Sequence, residues 1–458
     1  MAEQAAPAQR AVEAYHDLLG DDELLAASAA QLESGQHAAN LYFGEHPLSI
    51  SLRPRLISST DWERAVAAGE AICGALSTLE AALLSDADLR RELDLEATEE
   101  RLALADPGCR LSSPSSRLDS FFADEVRYVE YNAESPAGMA FGDVLAEVME
   151  SLPVMQRFRR RWQLRSLPTR FSQLDCMLRA FREWGGADLP SIAIVDWQGV
   201  PTVAEFEMFR EYFLANDVPC VIADPQSLSY DGSRLRAADG TEITIVYRRV
   251  LTSELLAHAG GSDPLCRAYL DGNVVVVNPF RAKLLHKKMS LAMLSDDRYS
   301  SLFSPLERAA IGRHIPWTRR FREGRSTRAG AEIRDLPAYV AEHRDSLVLK
   351  PNDEYGGKGV VLGWTVDDHE WEQVLRVALH ETYVVQEAVP VPRELWPLAL
   401  GGSLEMVDMA VDMDPYLFGG VVGGALIRLA SSALLNVTAG TGSVVPTFVV
   451  EGELGEAT

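Results

Sequence analysis

The chain has 458 residues, more than one ordinary hydrophobic core accommodates, so two or three packed lobes are expected. Hydrophobic residues make up 47% and charged residues 24%, which excludes wholesale disorder, and the formal charge of -24 argues against nucleic acid as a partner. The five cysteines are scattered without a C-x-x-C pair, which excludes a sequence-readable zinc site and fits a reducing compartment.

Neither a secretory signal nor a membrane span is expected. Residues 1–19 carry acidic side chains among alanines and have no apolar core of a signal peptide. The longest apolar stretch, residues 421–435, is interrupted by Arg428 and contains glycines and serines, which is typical of a buried strand. We therefore expect a cytoplasmic protein without a membrane partner.

The first part of the chain predicts helices followed by a short β region. Up to about residue 110 the apolar residues recur at helical spacing, most clearly over Asp61–Leu84, with Asp61 as the expected N-cap. Residues 117–132 alternate as strands do, and helices are expected near residues 139–149 and 171–184.

From residue 189 the pattern changes to that of a βαβ unit. Two short apolar runs, residues 191–195 and 218–223, flank a helical stretch over residues 204–216, which favours parallel strands. A hairpin with an Asp231-Gly232 turn and an alternating strand over Glu242–Tyr247 is expected next. The unit resembles a Rossmann domain but lacks the G-x-G-x-x-G fingerprint, so no dinucleotide is implied.

Helices and strands continue to alternate up to residue 450. Strands are expected near residues 347–350, 360–363, 383–386, 419–428 and 444–450. The Arg-rich stretch Arg313–Arg328 is the one basic cluster and predicts a solvated loop, with a mobile or partner-facing segment as the alternative. Tyr247-Arg248-Arg249 ends a strand and either orients a substrate or is solvated.

The sharpest local signal is the stretch from Leu347 to Val361. A strand ends in Lys350-Pro351, and a polar loop then leads through Gly356-Gly357-Lys358-Gly359 into another strand. Glycines let backbone N–H groups approach phosphate oxygens, and the two lysines add positive charge. It is not a Walker A loop, because Gly359 follows Lys358 and a strand follows the loop. Taken alone, an exposed β-turn explains the loop equally well.

Together with the strand Tyr383–Glu387, this stretch resembles the nucleotide-binding lobe of ATP-grasp enzymes. The resemblance implies that ATP is bound, with Lys350, Lys358, Gly356 and Gly357 at its phosphates. It also implies that the segment from Gln386 through Glu387 and Ala388 to Val389 lines the adenine. For Gln386 and Glu387, an ordinary strand end is the alternative.

The resemblance further implies a Mg²⁺ site built from hard oxygen ligands. The usual Glu-x-Asn pattern follows the lysines, but here it precedes them, as Glu130 and Asn132. Positions two apart on a strand face the same side, and Asp119 on a neighbouring strand could complete the set. The alternatives are a turn cap for Asp119, an ion pair with Arg127 for Glu130, and a turn former for Asn132.

That reversed order resembles circularly permuted ATP-grasp proteins, including glutathionylspermidine synthase. The resemblance covers about residues 110–450 and includes Asn278-Pro279, Lys287-Lys288 and Leu435–Pro446. It implies an α/β ATP-grasp fold, circularly permuted, with an inserted Rossmann-like pre-ATP-grasp domain. The divisions are an N-terminal helical region (1–105), a permuted metal-binding part of the C-lobe (106–186), the Rossmann-like domain (187–280), the nucleotide-binding lobe (281–390) and the remaining C-lobe (391–458).

The activity implied is ATP-dependent ligation of a small-molecule or peptide carboxylate to an amine through an acyl phosphate. Arg117 would stabilise charge on the transferring phosphoryl group. Arg428, inside an apolar strand, must meet an acid or a phosphate; ATP, the substrate carboxylate and Asp412 all remain open as its partner. Asn436 is a weaker candidate for metal contact, and residues 440–443 either bind an anion or form a plain turn. A phosphotransferase and a non-catalytic nucleotide-binding subunit remain alternatives, and a homo-oligomer is possible.

Overall fold

The computed structural model describes residues 7–44, 46–259, 263–400, 403–431 and 442–454. Its helices are α1 Pro7–Leu18, α2 Asp22–Ala38, α3 Ser59–Ser85, α4 Ala87–Arg90, α5 Ala97–Leu104, α6 Met139–Ser151, α7 Pro153–Phe158, α8 Thr169–Trp184, α9 Val203–Ala215, α10 Thr252–Ala259, α11 Pro264–Leu270, α12 Lys283–His286, α13 Met289–Ser295, α14 Pro305–His314, α15 Leu336–Glu342 and α16 Asp368–Ala378.

The strands are two to ten residues long. They are β1 Tyr42–Phe43, β2 His46–Pro47, β3 Arg55–Ser58, β4 Ser115–Phe122, β5 Val126–Asn132, β6 Trp162–Arg165, β7 Ile192–Val195, β8 Cys220–Ala223, β9 Ser229–Tyr230, β10 Leu235–Arg236, β11 Glu242–Ile243, β12 Ile245–Arg248, β13 Val275–Val277, β14 Thr318–Arg320, β15 Ser326–Arg328, β16 Ala331–Ile333, β17 Leu347–Pro351, β18 Val361–Leu362, β19 Tyr383–Glu387, β20 Arg393–Leu400, β21 Ser403–Val411, β22 Asp414–Phe418, β23 Val421–Ala430, β24 Ser443–Val445 and β25 Thr447–Glu453.

A parallel sheet in the order β13-β12-β7-β8 contains the predicted βαβ unit. The helix between β7 and β8 is α9, as the pattern predicted. The prediction of a single strand over Glu242–Tyr247 is wrong, because the strand is interrupted at Thr244, between β11 and β12. The Thr244 hydroxyl accepts a hydrogen bond from the backbone N of Ser191 at 2.9 Å, and the chain then passes from the small β9–β11 sheet into the parallel one.

An antiparallel sheet in the order β14-β19-β17-β18 carries the lysine-rich stretch. The predicted strand–loop–strand arrangement is confirmed by β17 and β18. The prediction that Arg313–Arg328 is a solvated loop is wrong, because this stretch contains the end of α14 and the strands β14 and β15. Arg319 on β14 is only 3% exposed.

The largest sheet runs in the order β20-β21-β23-β22-β4-β5, with β24 paired to β23. Residues 115–132 thereby join residues 393–445, since β4 pairs with β22 through Tyr416 opposite Arg117. The predicted alternation over residues 117–132 resolves into the hairpin of β4 and β5. The apolar stretch from residue 421 forms β23 as far as Ala430, and residues 432–435 lie outside the described part of the chain.

Strand β3, from the first part of the chain, and β25, from its last part, pair in a small three-stranded sheet, β3-β25-β6. Asp61 is not the N-cap of α3, because the extended Ser58 caps it with its hydroxyl, which accepts from the Asp61 backbone N at 3.0 Å. The single strand predicted over residues 444–450 is broken by Pro446, which has no N–H to donate.

Helix α3 is long and apolar enough, by length and composition alone, to cross a membrane. In this structure it packs against β23 and α14 and buries a row of small and branched apolar side chains, including Ala65, Ile72 and Leu79. The helix therefore forms part of the main hydrophobic core.

Candidate active site

The β4–β5 hairpin places the three predicted metal ligands side by side. Asp119 lies directly opposite Glu130, and Asn132 lies two residues along β5. The Asn132 side-chain amide donates to Asp119 Oδ1 at 2.8 Å. The amide oxygen of Asn132 is not used in this bond and remains an acceptor on the same face.

Asp119 is held by two arginines. Arg117 donates to it through Nε at 2.7 Å and Nη2 at 3.1 Å, and Arg428 Nη2 lies 2.9 Å from its Oδ2. Burial, the largest influence, would raise the pKa of Asp119, but the two guanidinium groups lower it to about 2. Asp119 is therefore an ionised member of an ion-pair network, and its expected alternative as a turn cap is wrong.

Arg428 meets three carboxylates. Its Nε lies 2.5 Å from Asp412 Oδ2, and its Nη2 lies 2.7 Å from Asp414 Oδ2 as well as close to Asp119. Burial opposes the charge of Arg428, yet Asp412 and Asp414 raise its pKa further above its ordinary value. Of the partners left open by the sequence, Asp412 is the one found, and Asp414 joins it.

Glu130 pairs with a lysine that lies far along the chain. Lys288, just before α13, has its Nζ 2.8 Å from Glu130 Oε1 and is only 6% exposed. Burial would raise the pKa of Glu130, but Lys288 and, more weakly, Lys350 lower it. The expected alternative, an ion pair with Arg127, is not the pairing found, and the sequence did not single out Lys288 as a site residue.

Lys350 connects the β14-β19-β17-β18 sheet to the β4–β5 hairpin. Its Nζ donates to the Gln386 side-chain oxygen at 2.7 Å and to the Val129 carbonyl at 3.0 Å. Burial, only partly offset by Glu130, lowers the pKa of Lys350 to about 8. Because Val129 precedes Glu130, the ammonium group reaches the strand that carries the predicted metal ligands.

The tip of the Gly-rich loop is more exposed than the cluster formed by Asp119, Glu130, Lys288 and Lys350. Gly356 and Gly357 adopt positive φ angles of 62° and 76°, which favour glycine. The Lys358 side chain is 74% exposed, and it pairs with Glu354 at 3.0 Å. Of the predicted phosphate contacts, Lys350 is thus in the cluster, whereas Lys358 and the two glycines are on an exposed loop.

The base of the same loop is anchored. Asp353 contacts Lys283 at 2.6 Å and Lys287 at 3.4 Å, and the backbone N of Lys288 donates to the Asn352 carbonyl at 2.9 Å. Lys288 Nζ also donates to the Glu354 carbonyl. The lysines of the α12–α13 region therefore fix where the loop starts.

The four residues predicted to line adenine lie at the end of β19. Gln386 is buried and also donates to the Thr318 hydroxyl at 3.0 Å. Glu387 lies 3.4 Å from Arg328, and the Ala388 backbone N donates to the Ser346 carbonyl at 2.9 Å. Ala388 and Val389 are half-buried.

The donor set fits a magnesium ion shared with a phosphate ligand better than a metal held by protein alone. No group of three or more His, Cys, Asp or Glu side chains converges on a metal position within the described ranges. One carboxylate oxygen of Glu130 pairs with Lys288, and the amide oxygen of Asn132 is an available acceptor. Both oxygens of Asp119, in contrast, already accept from arginines or from Asn132. Mg²⁺ commonly takes one or two carboxylates plus substrate phosphates.

The pair Arg248-Arg249 is not a solvated strand end. Arg248 is fully buried and contacts Glu134 at 3.0 Å, and Arg249 contacts Glu205 at 3.4 Å. Lys283 lies 3.3 Å from the same Glu134, so Glu134 joins the parallel β13-β12-β7-β8 sheet to the base of the loop. Neither Glu134 nor Glu205 was singled out from the sequence.

Two further predictions fall partly or wholly outside the described residues. Asn436, together with residues 440 and 441, lies in the gap between residues 431 and 442. Ser443 is buried in β24, and its hydroxyl accepts from the Ile50 backbone N at 3.2 Å.

No family model matches the sequence, and no curated protein sequence matches it. Among solved structures, the fold is similar to that of a glutathione synthetase-like effector from Globodera pallida in its apo form, with a TM-score of 0.60, 13% identity, and 94% of this chain and 98% of that chain covered. The predicted mixed α/β fold is thus confirmed as one shared with a glutathione synthetase-like protein.

Two weaker likenesses have TM-scores below 0.5. One is a RimK domain ATP-grasp protein from Sphaerobacter thermophilus, with a TM-score of 0.27, 17% identity, and 56% of this chain and 90% of that chain covered. The other is D-alanyl-alanine synthetase A from Vibrio cholerae, with a TM-score of 0.29, 12% identity, and 57% and 74% covered.

Proposed function

We propose that this chain is an ATP-dependent carboxylate–amine ligase of the ATP-grasp class. The observation that carries the proposal is the meeting of two sheets at one point. Lys350 of the β14–β19–β17–β18 sheet donates to Val129, next to Glu130 of the large sheet, and Lys288 pairs with Glu130 itself. One cation from that sheet and one from the α12–α13 region thus face oxygen ligands from the large sheet, which suits a nucleotide with its metal lying between them.

A circularly permuted order of the ATP-grasp elements is part of this proposal. The predicted metal-binding strands β4 and β5 precede the lysines in sequence, yet they complete the sheet formed by β20 to β24. A sheet that draws strands from residues 115–132 and 393–445 is what a relocated chain start would produce. This supports the permutation without depending on any sequence match.

Glu130 and Asn132 would hold Mg²⁺, which neutralises phosphate charge when bound. Lys350 and Lys288 would bind phosphate oxygens, and Lys358 would reach them when the loop tip moves toward the cluster. The Gln386–Val389 segment would line the adenine. Arg117 and Arg428 hold Asp119 ionised, and they would be positioned near the transferring phosphoryl group.

The chemistry consists of two substitutions. A carboxylate oxygen of one substrate attacks the γ-phosphorus of ATP, which forms an acyl phosphate and releases ADP. The amine nitrogen of the second substrate then attacks the acyl carbon, phosphate leaves, and the nitrogen loses a proton. The chain's own contribution is in-line positioning and charge neutralisation, which preorganised cations supply at low cost in a buried site.

The pKa of Lys350 predicts a pH dependence of ATP binding. A lysine with a pKa of about 8 in the free protein is protonated below that pH and neutral above it. Phosphate oxygens bind only the protonated form, so the Kd for ATP is expected to rise above pH 8 by up to about tenfold per pH unit. Calorimetric titration with ATP between pH 7 and 9.5 measures this.

The Lys350→Met variant serves as the control for that pH dependence. It should bind ATP weakly at every pH, with a flat profile over the same range. A wild-type Kd that is constant from pH 7 to 9.5 would show that Lys350 does not contact the phosphates.

Turnover tests the proposed reaction. The protein is incubated with Mg²⁺-ATP and pools of amino acids, small peptides and polyamines, while phosphate release and new masses are followed together. We expect phosphate release that requires both a carboxylate and an amine, a new amide mass, and loss of both signals in Glu130→Ala and Lys350→Ala.

Two other outcomes would contradict the proposed reaction. Amine-independent phosphorylation of one acceptor would identify a phosphotransferase. ATP binding without turnover in any pool, equally tight in the two variants, would favour a nucleotide-binding subunit and remove the assigned roles of Glu130 and Lys350.

A further inference from the structure

A cavity of about 220 Å³ lies beside the edge strand β14, and its walls are rich in arginine. Five guanidinium groups line it, from Arg298, Arg319, Arg320, Arg322 and Arg325. In a chain of net charge -24, this concentration of positive charge around one small space is unusual. The volume suits a compact ligand, because it is below the roughly 300–1,000 Å³ typical of drug-sized sites.

The lining carboxylates do not balance these arginines. Asp296 and Glu332 are the two acids in the wall; Asp296 pairs with Arg298 at 2.7 Å, and Glu332 pairs with Arg325 at 3.2 Å. Outside the wall, Glu92 is shared by Arg320 at 3.5 Å and Arg322 at 3.2 Å. One further acid, Asp297, accepts from the Thr327 hydroxyl at 2.8 Å. Even with all four acids counted, the five guanidinium groups leave a positive excess.

Arg319 supplies a second, independent observation. Its side chain is 4% exposed, and among the described residues its Nη atoms donate to neutral oxygens alone, including the Ser295 carbonyl at 2.8 Å and the Thr327 carbonyl at 2.9 Å. Within the part of the chain that the structure describes, its Nε has no hydrogen-bond partner, and the Asp296 carboxylate lies 3.9 Å away. A buried guanidinium group with an unsatisfied donor is costly, so an anion at this position would remove a real penalty.

The cavity is distinct from the candidate active site. Thr318 points toward that site, since its hydroxyl accepts from Gln386, which in turn contacts Lys350. Successive residues of a strand face opposite sides, so Arg319 points away from Lys350, and its guanidinium group lies over the Trp317 ring at 5.3 Å.

We propose that the arginine-lined cavity is a second anion-binding site, which takes a small polyanion with phosphate or carboxylate groups. The planar donor fork of arginine matches both groups with paired hydrogen bonds. Arg319 provides the buried donor, and Arg322 and Arg325 provide charge at the mouth of the cavity, where their side chains are 41% and 78% exposed. This site goes beyond the proposed ligase activity and does not depend on it.

Calorimetric titration of the full chain with inorganic pyrophosphate and, separately, with citrate tests the proposal, both without Mg²⁺. The test variant is the double substitution Arg322→Ala/Arg325→Ala, which removes exposed side chains and leaves the buried Arg319 in place. We expect it to bind at least about tenfold more weakly than the wild type, as the loss of charge-assisted hydrogen bonds predicts. Arg234→Ala/Arg376→Ala, which removes the same charge from exposed positions elsewhere, should bind as the wild type does.

Lys350→Met separates this cavity from the candidate active site, because it should retain the binding that Arg322→Ala/Arg325→Ala loses. Binding by pyrophosphate alone or by citrate alone would assign the site to phosphates or to carboxylates, and either supports it. No binding to the wild type, an equal loss in both double variants, or a loss in Lys350→Met with none in Arg322→Ala/Arg325→Ala would overturn the proposal.

Discussion

Replacing Glu130 by Gln is expected to abolish Mg²⁺-ATP-dependent turnover while leaving the fold intact. The substitution keeps the shape of the side chain but removes the negative charge that pairs with Lys288 and is available to a metal. Removal of one preorganised charge from such a site typically costs on the order of a hundredfold or more in rate. Steady-state phosphate release, measured across Mg²⁺ concentrations, is the readout.

A matched control exists on the same hairpin. Glu125 lies in the turn between β4 and β5, and its carboxylate pairs with Arg313 at the surface. Glu125→Gln makes the same chemical change there, and it should retain wild-type turnover. Full activity in Glu130→Gln, or an equal loss in Glu125→Gln, would contradict the metal role of Glu130.

The second large effect concerns stability. In Arg428→Met, the carboxylates of Asp412, Asp414 and Asp119 lose the cation that lies among them. All three residues are 5% exposed or less, so the substitution leaves buried negative charge without this partner. Breaking a buried pair by removing one partner costs about 3–5 kcal/mol in the free energy of unfolding. Guanidinium denaturation at pH 7 measures this loss.

The loss should depend on pH. Burial already raises the pKa of Asp414, and without Arg428 the native carboxyl groups would bind protons more readily than the unfolded chain does. Stability then falls as pH rises, so the deficit of Arg428→Met should be smaller at pH 5 than at pH 7.

Arg393→Met is the comparison for this stability effect. It breaks the exposed Arg393–Asp408 pair and should change the free energy of unfolding by about 0.5 kcal/mol or less. A loss in Arg428→Met no larger than in Arg393→Met, and independent of pH, would contradict the assigned network.

Periodicity predicted local elements well where the chain follows one pattern throughout. The βαβ unit over residues 191–223 and the strands flanking the Gly-rich loop were predicted because apolar runs of strand length ended at clear polar breaks. The predictions failed where a single hydrogen bond or residue interrupts a pattern, as Thr244 and Pro446 do. The prediction for Arg313–Arg328 failed because its charges suggested solvent, whereas contacts with carbonyl oxygens hold Arg319 in a buried position.

The site was predictable only as far as it is local in sequence. Glu130 and Asn132 share a strand, so their common face follows from spacing, and the hairpin places Asp119 opposite Glu130. The contacts of Glu130 with Lys288 and of Arg428 with Asp414 depend on how distant segments pack, which no spacing rule gives.

The distribution of lysines along the sequence could have identified further residues of the candidate site. The chain has only five lysines, and all lie between residues 283 and 358: Lys283, Lys287, Lys288, Lys350 and Lys358. All but Lys358 are buried. In a chain that otherwise uses arginine for positive charge, a lysine marks a position where a compact ammonium group with an adjustable pKa is needed.

The most direct test of the central claim is a crystal structure with ADP and Mn²⁺, which gives an anomalous signal at the metal. We expect one or two Mn²⁺ peaks bonded to Glu130 and Asn132, with the phosphates contacting Lys350 and Lys288 and the adenine beside Gln386–Val389. Nucleotide bound at another place, or Mn²⁺ peaks away from the β4–β5 hairpin, would show that the two sheets do not form a shared metal–nucleotide site.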